Sequence, residues 1–315
     1  MLAARIRSGL VETVHDGAVA VVSNDGDLLA SSGDIDRPFF LRSAAKPFQA
    51  LIAQEEGAAL DVEGLAIAAS SHDGEPVHVA LVESMLARVG LDGSALGCPP
   101  SWPVSEPARA RLRGAGRDEA QRIWNNCSGK HAAWLRACLT QGWALESYLR
   151  PDHPLQMRII GHVGEMGEYD VSPVGVDGCG APVLRTTTRV MALLYARLAT
   201  QARYDEVFTA MHRYPALVSG KGNGDASLAT TLNLVGKRGA AGCLGVAIDG
   251  RLGIAVKSWD GLEEIATSAM IATLAAVGEL PGHASRVLAP LARPQVLGGG
   301  QAVGELEPRV ELRWA

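Results

Sequence analysis

Long hydrophobic runs and an excess of either charge are both missing from this sequence. Its 315 residues carry a net charge of -5, with 29 basic and 34 acidic side chains. This balance offers no basic surface for nucleic acid or an anionic membrane. The longest apolar stretches, such as residues 270–277, are much shorter than a bilayer span, and the N-terminal residues contain no apolar signal-peptide core. We therefore expect a soluble, cytoplasmic protein without nucleic-acid or membrane partners.

Cysteine is also scarce, with five residues in the whole chain. An odd and sparse set in a chain of this size argues against the disulfide framework of a small secreted protein. Free thiols or metal ligands are the better interpretation. The five residues are Cys98, Cys127, Cys138, Cys179 and Cys243.

The low number of lysines is the most informative, because only five of the 29 basic residues are lysine. Arginine keeps its proton, whereas a buried lysine can be brought toward the neutral form. A chain that prefers arginine at its surface is expected to keep lysine where the proton must leave. Codon bias with five chance survivors remains an alternative. The lysines are Lys46, Lys130, Lys221, Lys237 and Lys257.

Strand patterns occur near both ends of the chain. Residues 17–31 predict a hairpin that turns at Asp25-Gly26, and residues 243–257 predict a second one that turns at Asp249-Gly250. A helical pattern follows at residues 263–277. Strands at both ends with helices between them predict an α+β fold, in which helices flank one antiparallel sheet built from both termini.

The chain between the hairpins is mostly helical in pattern. We expect a single catalytic unit over residues 1–315, in which residues 1–40 and 240–315 form a sheet lobe and residues 41–239 an inserted helical lobe. The glycine-rich stretches 220–225 and 297–301 are expected to be loops. The predicted helices are 50–56, 77–89, 118–123, 130–140, 155–166, 187–200 and 204–212.

Ser43-Ala44-Ala45-Lys46 is an S-x-x-K motif. On a helical turn this spacing places both side chains on one face, where a neutral lysine amine could take the serine proton. An ordinary lysine pKa of about 10.4 requires burial or a neighbouring cation for this role. The plain alternative is a helix-capping serine with a surface lysine. Pro47 favours a first helical turn but disfavours helical geometry at Lys46.

Five ordered segments together resemble the rhizobial-type L-asparaginases, the asparaginase II family, over about residues 10 to 275. The family's fold is similar to that of serine β-lactamases, penicillin-binding proteins and glutaminases, so the resemblance implies a serine β-lactamase-like architecture. The segments are Arg42-Ser43-Ala44-Ala45-Lys46-Pro47, Ser70-Ser71-His72-Asp73-Gly74-Glu75, Asn126-Cys127-Ser128-Gly129-Lys130-His131, Asp177-Gly178-Cys179 and Gly253-Ile254-Ala255-Val256-Lys257.

The resemblance implies two serine–lysine pairs. Ser43 and Lys46 stand where the family has its nucleophile and base, and Ser71 with Lys257 would form the second pair. Ser70 is the alternative second serine. Two lysines in one pocket would lower each other's pKa, as the chemistry requires. The structural alternatives are a helix-capping Ser71 and a solvated Lys257 at the end of a strand.

The resemblance also implies a zinc ion held by Cys127, Lys130 and Cys179. Two thiolates suit zinc, and a nearby cation favours the neutral lysine that coordination needs. Cys-x-x-Lys is not a standard zinc motif, however. A disulfide, a metal-free thiol pair and ordinary buried cysteines are the competing interpretations. The zinc would orient substrate, since the nucleophile is already assigned.

The implied activity is hydrolysis of L-asparagine to L-aspartate and ammonia through an acyl-enzyme, in a homodimer. Candidate substrate-binding residues are Arg42, His72, His131 and Asp177. Glutamine hydrolysis and amino-acid binding without turnover remain alternatives. β-Lactam chemistry fits less well, because no Ser-Asp-Asn segment occurs and Lys257-Ser258-Trp259 is not Lys-Thr-Gly.

Overall fold

Two antiparallel sheets of four and six strands, with two short two-stranded pairs, make up the β structure. A computed structural model describes all 315 residues. The strands are β1 Ala3–Arg7, β2 Leu10–His15, β3 Gly17–Ser23, β4 Leu28–Ser32, β5 Phe39–Phe40, β6 Gly175–Val176, β7 Pro182–Val183, β8 Arg185–Thr186, β9 Leu234–Gly239, β10 Cys243–Ile248, β11 Leu252–Ser258, β12 Gln295–Gly298, β13 Gln301–Pro308 and β14 Arg313–Trp314. The strand order is β12-β13-β1-β2 in the smaller sheet and β14-β4-β3-β11-β10-β9 in the larger one.

Twelve α-helices surround the sheets, and most of them lie between β5 and β9 in the chain. None of them combines the length and apolar character needed to cross a membrane. The helices are α1 Lys46–Ala53, α2 Val62–Ala68, α3 Pro76–Ala87, α4 Glu106–Gly114, α5 Ser128–Gln141, α6 Pro154–Gly167, α7 Thr188–Thr200, α8 Asp205–Arg213, α9 Pro215–Ser219, α10 Gly224–Thr231, α11 Glu263–Ala276 and α12 Gly282–Ala292.

Strands from the two ends of the chain meet in the middle of the larger sheet. β3 pairs antiparallel with β11, so that Ala20 faces Ala255 and Ala18 faces Lys257. Both predicted hairpins are present, as β3–β4 and β10–β11. The predicted α+β class, with an antiparallel sheet contributed by both termini, is confirmed.

Alternation along β3 divides the interior into two cores. Ala18, Ala20 and Val22 belong to a core of 59 buried residues, which also contains the apolar side chains of α7. Val19 and Val21 belong to a core of 21 buried residues, shared with α11. Successive strand residues point to opposite faces, so one buried strand packs against helices on both sides.

Glycines allow α7 to approach the sheet unusually closely. A Cβ at Gly253 would overlap the backbone nitrogen of Ala196 and the carbonyl of Ala192, and one at Gly245 would overlap the Tyr195 ring. The hydroxyl of Tyr195 then donates to the carbonyl of Ala44 at 2.9 Å. The same close contact therefore holds the turn that contains Ser43.

Two sequence predictions differ from the structure. Residues 118–123 are not a helix and hold only the start of a 3-10 turn at Arg122–Trp124, because this exposed, polar segment has no apolar face to bury. The strand β9 falls inside the predicted helical lobe of residues 41–239. Its two glycines and two basic residues hide the strand pattern.

The packing at Gly253 predicts the effect of adding one methyl group. Gly253→Ala should lower the free energy of unfolding by about 3 kcal/mol, the upper end of overpacking costs, because α7 must move away from the sheet. Urea denaturation measures the change. Gly282→Ala is the control: its added Cβ meets open space in a helix, so stability should hold or rise slightly. Equal stability of Gly253→Ala and wild type would contradict the close approach.

Candidate active site

Ser43 lies on a strained turn between β5 and α1. Arg42, the residue before it, has a positive φ of 50°, which is uncommon for a non-glycine residue. The segment Arg42–Ala45 forms a 3-10 turn, and α1 begins at Lys46 in helical geometry despite the following Pro47. Ser43 is only partly buried. A partly exposed hydroxyl at the start of a helix is well placed for attack on a small substrate.

The Lys46 amine lies in the interior and contacts the second predicted serine. Lys46 is 0% exposed, and its Nζ donates to Ser71 Oγ at 2.9 Å and to the carbonyl of Ser70. Burial lowers the pKa of Lys46 below its ordinary value. Ser70 Oγ is buried without a partner. Ser71 is therefore the serine whose hydroxyl joins Lys46.

A second buried lysine lies close to Lys46, and sequence reasoning missed it. Lys237 in β9 is 0% exposed, and its Nζ donates to the carbonyl of Arg238 at 2.9 Å. Burial lowers the pKa of Lys237 to about 7; the Asp225 carboxylate opposes this and the Lys46 charge adds to it. The charge of Lys130 in turn lowers the pKa of Lys46.

A sequence signal for Lys237 does exist. Lys237-Arg238-Gly239 keeps the lysine and glycine of the Lys-Thr-Gly pattern, which Lys257-Ser258-Trp259 does not. It was hidden because β9 was not recognised as a strand. β9 forms the sheet edge nearest the serine turn, whereas β11 lies two strands further in.

The expected Ser71–Lys257 pair does not form. The Lys257 Nζ donates to the carbonyls of Ala241 and Ser258, both at 2.5 Å. Its charge lies over the rings of Phe39 and Trp259, at 5.6 and 5.3 Å from their centroids. The sequence placed Lys257 correctly at a strand end, but register brings it beneath the β9–β10 turn rather than to Ser71.

The end of β9 lies against the serine turn. A Cβ at Gly239 would lie 2.7 Å from the carbonyl oxygen of Leu41 and 3.1 Å from the amide nitrogen of Ala44, so only glycine fits. The N–H groups of Ser43 and Ala240 flank this contact, and neither takes part in a backbone hydrogen bond of the turns and loops. Two free N–H groups beside a nucleophile can hold an oxyanion.

The two predicted thiols and Lys130 converge in one buried cluster. Cys127, Lys130 and Cys179 are 5%, 2% and 4% exposed, and Lys130 Nζ lies 3.4 Å from Cys179 Sγ. A hydrogen bond from the Cys127 thiol lowers the pKa of Cys179 to about 5. The two thiols also act on the Lys46 amine, where they raise the pKa against the effect of burial. The cluster therefore borders the serine–lysine site.

The donor set of this cluster fits a soft divalent cation. No group of three or more His, Cys, Asp or Glu side chains could hold a metal here, so a third donor would have to be the Lys130 amine. Cys179 is already a thiolate at neutral pH, because its pKa is about 5. Although burial acts to lower it, the neighbouring thiols hold the pKa of Lys130 above its ordinary value, so a metal would displace a proton there.

Arg42 and Asp177 come together beside the cluster. Arg42 Nε donates to Asp177 Oδ1 at 2.6 Å, and the Gly178 N–H donates to the same oxygen at 2.8 Å. Burial acts to raise the pKa of Asp177, but Lys130 and Arg42 together hold it below its ordinary value. The residue before Ser43 in the chain therefore belongs to a pair that carries a charge of each sign.

The two histidines predicted to bind substrate have no solvent-exposed surface. His72 and His131 are both 0% exposed. His72 accepts from the Gly74 N–H and hydrogen bonds with Ser128 Oγ at 2.9 Å, which uses both ring nitrogens. His131 Nδ1 contacts the Tyr148 hydroxyl at 2.6 Å, and its Nε2 has no partner. Burial lowers the pKa of both, of His131 to about 3, so both rings are neutral.

Several solved glutaminase structures are similar to this chain. Mglu in its glutamate form has 15% identity and a TM-score of 0.49, covering 83% of this chain and 60% of its own. The probable glutaminase ybaS has 18% identity and a TM-score of 0.37, covering 84% and 86%. A Bacillus glutaminase has 13% identity and a TM-score of 0.40, covering 84% and 91%. The chain thus spans less than two thirds of Mglu in its glutamate form.

Among curated proteins, no match was found. The profile of the L-asparaginase II family matches residues 3–308, nearly the whole chain. This range contains the serine turn, both buried lysines and the thiol cluster. The chain therefore belongs to the L-asparaginase II family.

Proposed function

We propose that this protein is an amidohydrolase that cleaves the side-chain amide of L-asparagine through an acyl-enzyme on Ser43. Membership of the L-asparaginase II family supports the amidohydrolase class. The observation that carries the mechanism is the fully buried Lys46 amine, which is hydrogen-bonded to Ser71 and close to a second buried lysine, Lys237.

In the first half-reaction, neutral Lys46 takes the Ser43 proton while Oγ forms a bond to the amide carbon. The N–H groups of Ser43 and Ala240 receive the developing oxyanion. The carbon–nitrogen bond then breaks. The proton held by Lys46 passes through Ser71 to the leaving nitrogen, and ammonia departs.

In the second half-reaction, water attacks the ester carbon and gives a proton to Lys46. The carbon–oxygen bond to Ser43 breaks, Ser43 regains its proton, and L-aspartate is released. Lys237 assists in both halves, because a positive charge at Lys237 favours the neutral form of the nearby Lys46 amine. In this proposal Lys237, rather than Lys257, is the second lysine.

Recognition of the amino acid requires both signs of charge. We assign the substrate carboxylate to Arg42, which is one residue from the nucleophile, and the substrate ammonium to Asp177. His72 and His131 would lie behind Arg42 and Asp177, in the buried wall of the site. His131 Nε2 has no hydrogen-bond partner there.

Cys127, Lys130 and Cys179 would hold a zinc ion, because two thiols and an amine meet there out of contact with water. When bound, zinc would supply an electrophilic position that orients a substrate oxygen or nitrogen. The cluster also acts electrostatically on Lys46: its two thiols raise the pKa of that amine, and the charge of Lys130 lowers it.

Removal of the nucleophile tests the proposed reaction. Ser43→Ala should lower ammonia release from L-asparagine by about 10³-fold or more, because no acyl-enzyme can form. Ser285→Ala, an exposed serine on α12, is the control and should behave as wild type. Ammonia release that survives in Ser43→Ala would remove this residue as nucleophile. The same assay with L-glutamine compares the two amides.

Substitution of Lys237 tests the role of the second buried lysine, and substitution of an exposed lysine is the control. Lys237→Met should reduce kcat by about 10²-fold, and Lys237→Arg should restore part of it, because a guanidinium keeps the positive charge that favours the neutral Lys46 amine. Lys221→Met, at an exposed loop position, serves as the control. Full activity in Lys237→Met would show that Lys46 works without this neighbour.

The thiol cluster predicts a bound metal. Elemental analysis of protein purified without chelator should find about one zinc per chain, and Cys179→Ser should lose most of it. Cys138→Ser is a matched control, because Cys138 is a buried cysteine of α5 outside the cluster. Zinc retained by Cys179→Ser, or absent from wild type, would contradict the assignment.

A further inference from the structure

Lys257 is fixed at the base of the turn that joins β9 to β10. Only 6% exposed, it donates from Nζ to the carbonyls of Ala241 and Ser258 at 2.5 Å each. The Ser258 N–H also donates to the carbonyl of Gly242 at 2.8 Å. Residues at the end of β11 are therefore hydrogen-bonded to two of the three residues in the turn 240–242.

The turn needs such support because its backbone is unfavourable. Ala241 has a φ of +64° and Gly242 a φ of +70°, so two successive residues occupy the left-handed region. Glycine adopts this conformation freely, but alanine does not. The conformation at Ala241 persists only because its surroundings impose it. The ammonium of Lys257 on the Ala241 carbonyl is the closest of these contacts.

The same turn lies against the catalytic serine. Gly239, Cys243 and Lys257 are directly opposite one another on β9, β10 and β11. Cys243 Sγ donates to the carbonyl of Leu41 at 3.5 Å, and the Gly239 backbone packs on the same carbonyl. This row of the sheet therefore supports the turn from below and touches the segment that leads to Ser43.

Lys257 contacts that segment from its other side as well. Its amine lies over Phe39 of β5, three residues before the strained Arg42, and over Trp259. The guanidinium of Arg37 covers the Trp259 ring at 4.3 Å. One buried charge thus joins the strand that delivers Ser43 to the turn that contains Ala240.

We propose that Lys257 is a positioning residue, which holds the turn 240–242 so that the Ala240 N–H points at the carbonyl oxygen under attack. The inference rests on the proposed function, because it assigns Ala240 to the oxyanion site. A lysine suits this role because one compact ammonium on a long stem satisfies two carbonyls at once. A neutral apolar side chain would leave both carbonyls without this donor.

A double-mutant cycle with Ala241 tests this role. Lys257→Met should lower kcat for L-asparagine by about tenfold or more while changing KM little, because the oxyanion contact forms only in the transition state. In an Ala241→Gly background the same substitution should cost much less, since glycine adopts the left-handed conformation without the clamp. A residue that served only general stability would show equal losses in both backgrounds.

Equal kcat losses in the two backgrounds, or wild-type kcat in Lys257→Met, would overturn the inference. Thermal unfolding checks that each variant folds. If Lys257→Met does not fold, Lys257→Gln replaces it in the same cycle: its single amide donor should give a partial loss of kcat that shrinks in the Ala241→Gly background. A kcat equal to wild type would again overturn the role.

A measurement that does not depend on enzyme activity separates this inference from the proposed function. Hydrogen exchange should become faster at residues 240–242 in Lys257→Met and stay unchanged at the turn Asp25-Gly26 of the other hairpin. Unchanged exchange at both turns would refute the clamp whatever the activity. Absence of ammonia from wild-type protein would refute the proposed function while leaving the exchange result to stand on its own.

Discussion

Burial of two lysine amines in one site is the constraint on which the rest of the structure depends. Lys46 and Lys237 are both fully buried, burial lowers the pKa of each, and the charge of Lys46 lowers that of Lys237 further. Two ammonium groups so placed would repel each other in a medium that screens charge poorly. Lys237 accordingly has a pKa of about 7, and in the proposed mechanism the neutral Lys46 amine is the base that takes the Ser43 proton. The scarcity of lysine in the sequence fits this specialised use.

The fold brings the amines together from distant parts of the chain. Lys46 starts α1 after the serine turn, whereas Lys237 comes from the edge strand β9. Contact between these elements depends on Gly239, where any side chain would strike the serine turn, and on Tyr195, which holds the carbonyl of Ala44. Small residues at the junction thus set the geometry of the charges.

The sequence predicted the local parts of the site and missed the distant ones. Ser43 and Lys46 lie three residues apart, so one motif identifies them, and Cys127 and Lys130 likewise share a helical turn. The sheet from both termini followed from two hairpins with clear turns. The partner of Ser71 could not be predicted in this way, because it depends on which strand forms the sheet edge and on its register. The family resemblance therefore implied Lys257, at the end of a predicted strand, while packing brings Lys46 to Ser71 and Lys237 close by.

The direct test of this account is a pH titration of the lysine side chains. With five lysines in the chain, NMR of protein labelled at lysine Cε gives few signals, and substitution assigns each one. The account predicts that Lys237 titrates near pH 7, well below the ordinary lysine value of about 10.4, because its amine is buried. A Lys237 signal that titrates at the ordinary lysine value of about 10.4 would contradict the claim that burial makes these amines usable as bases.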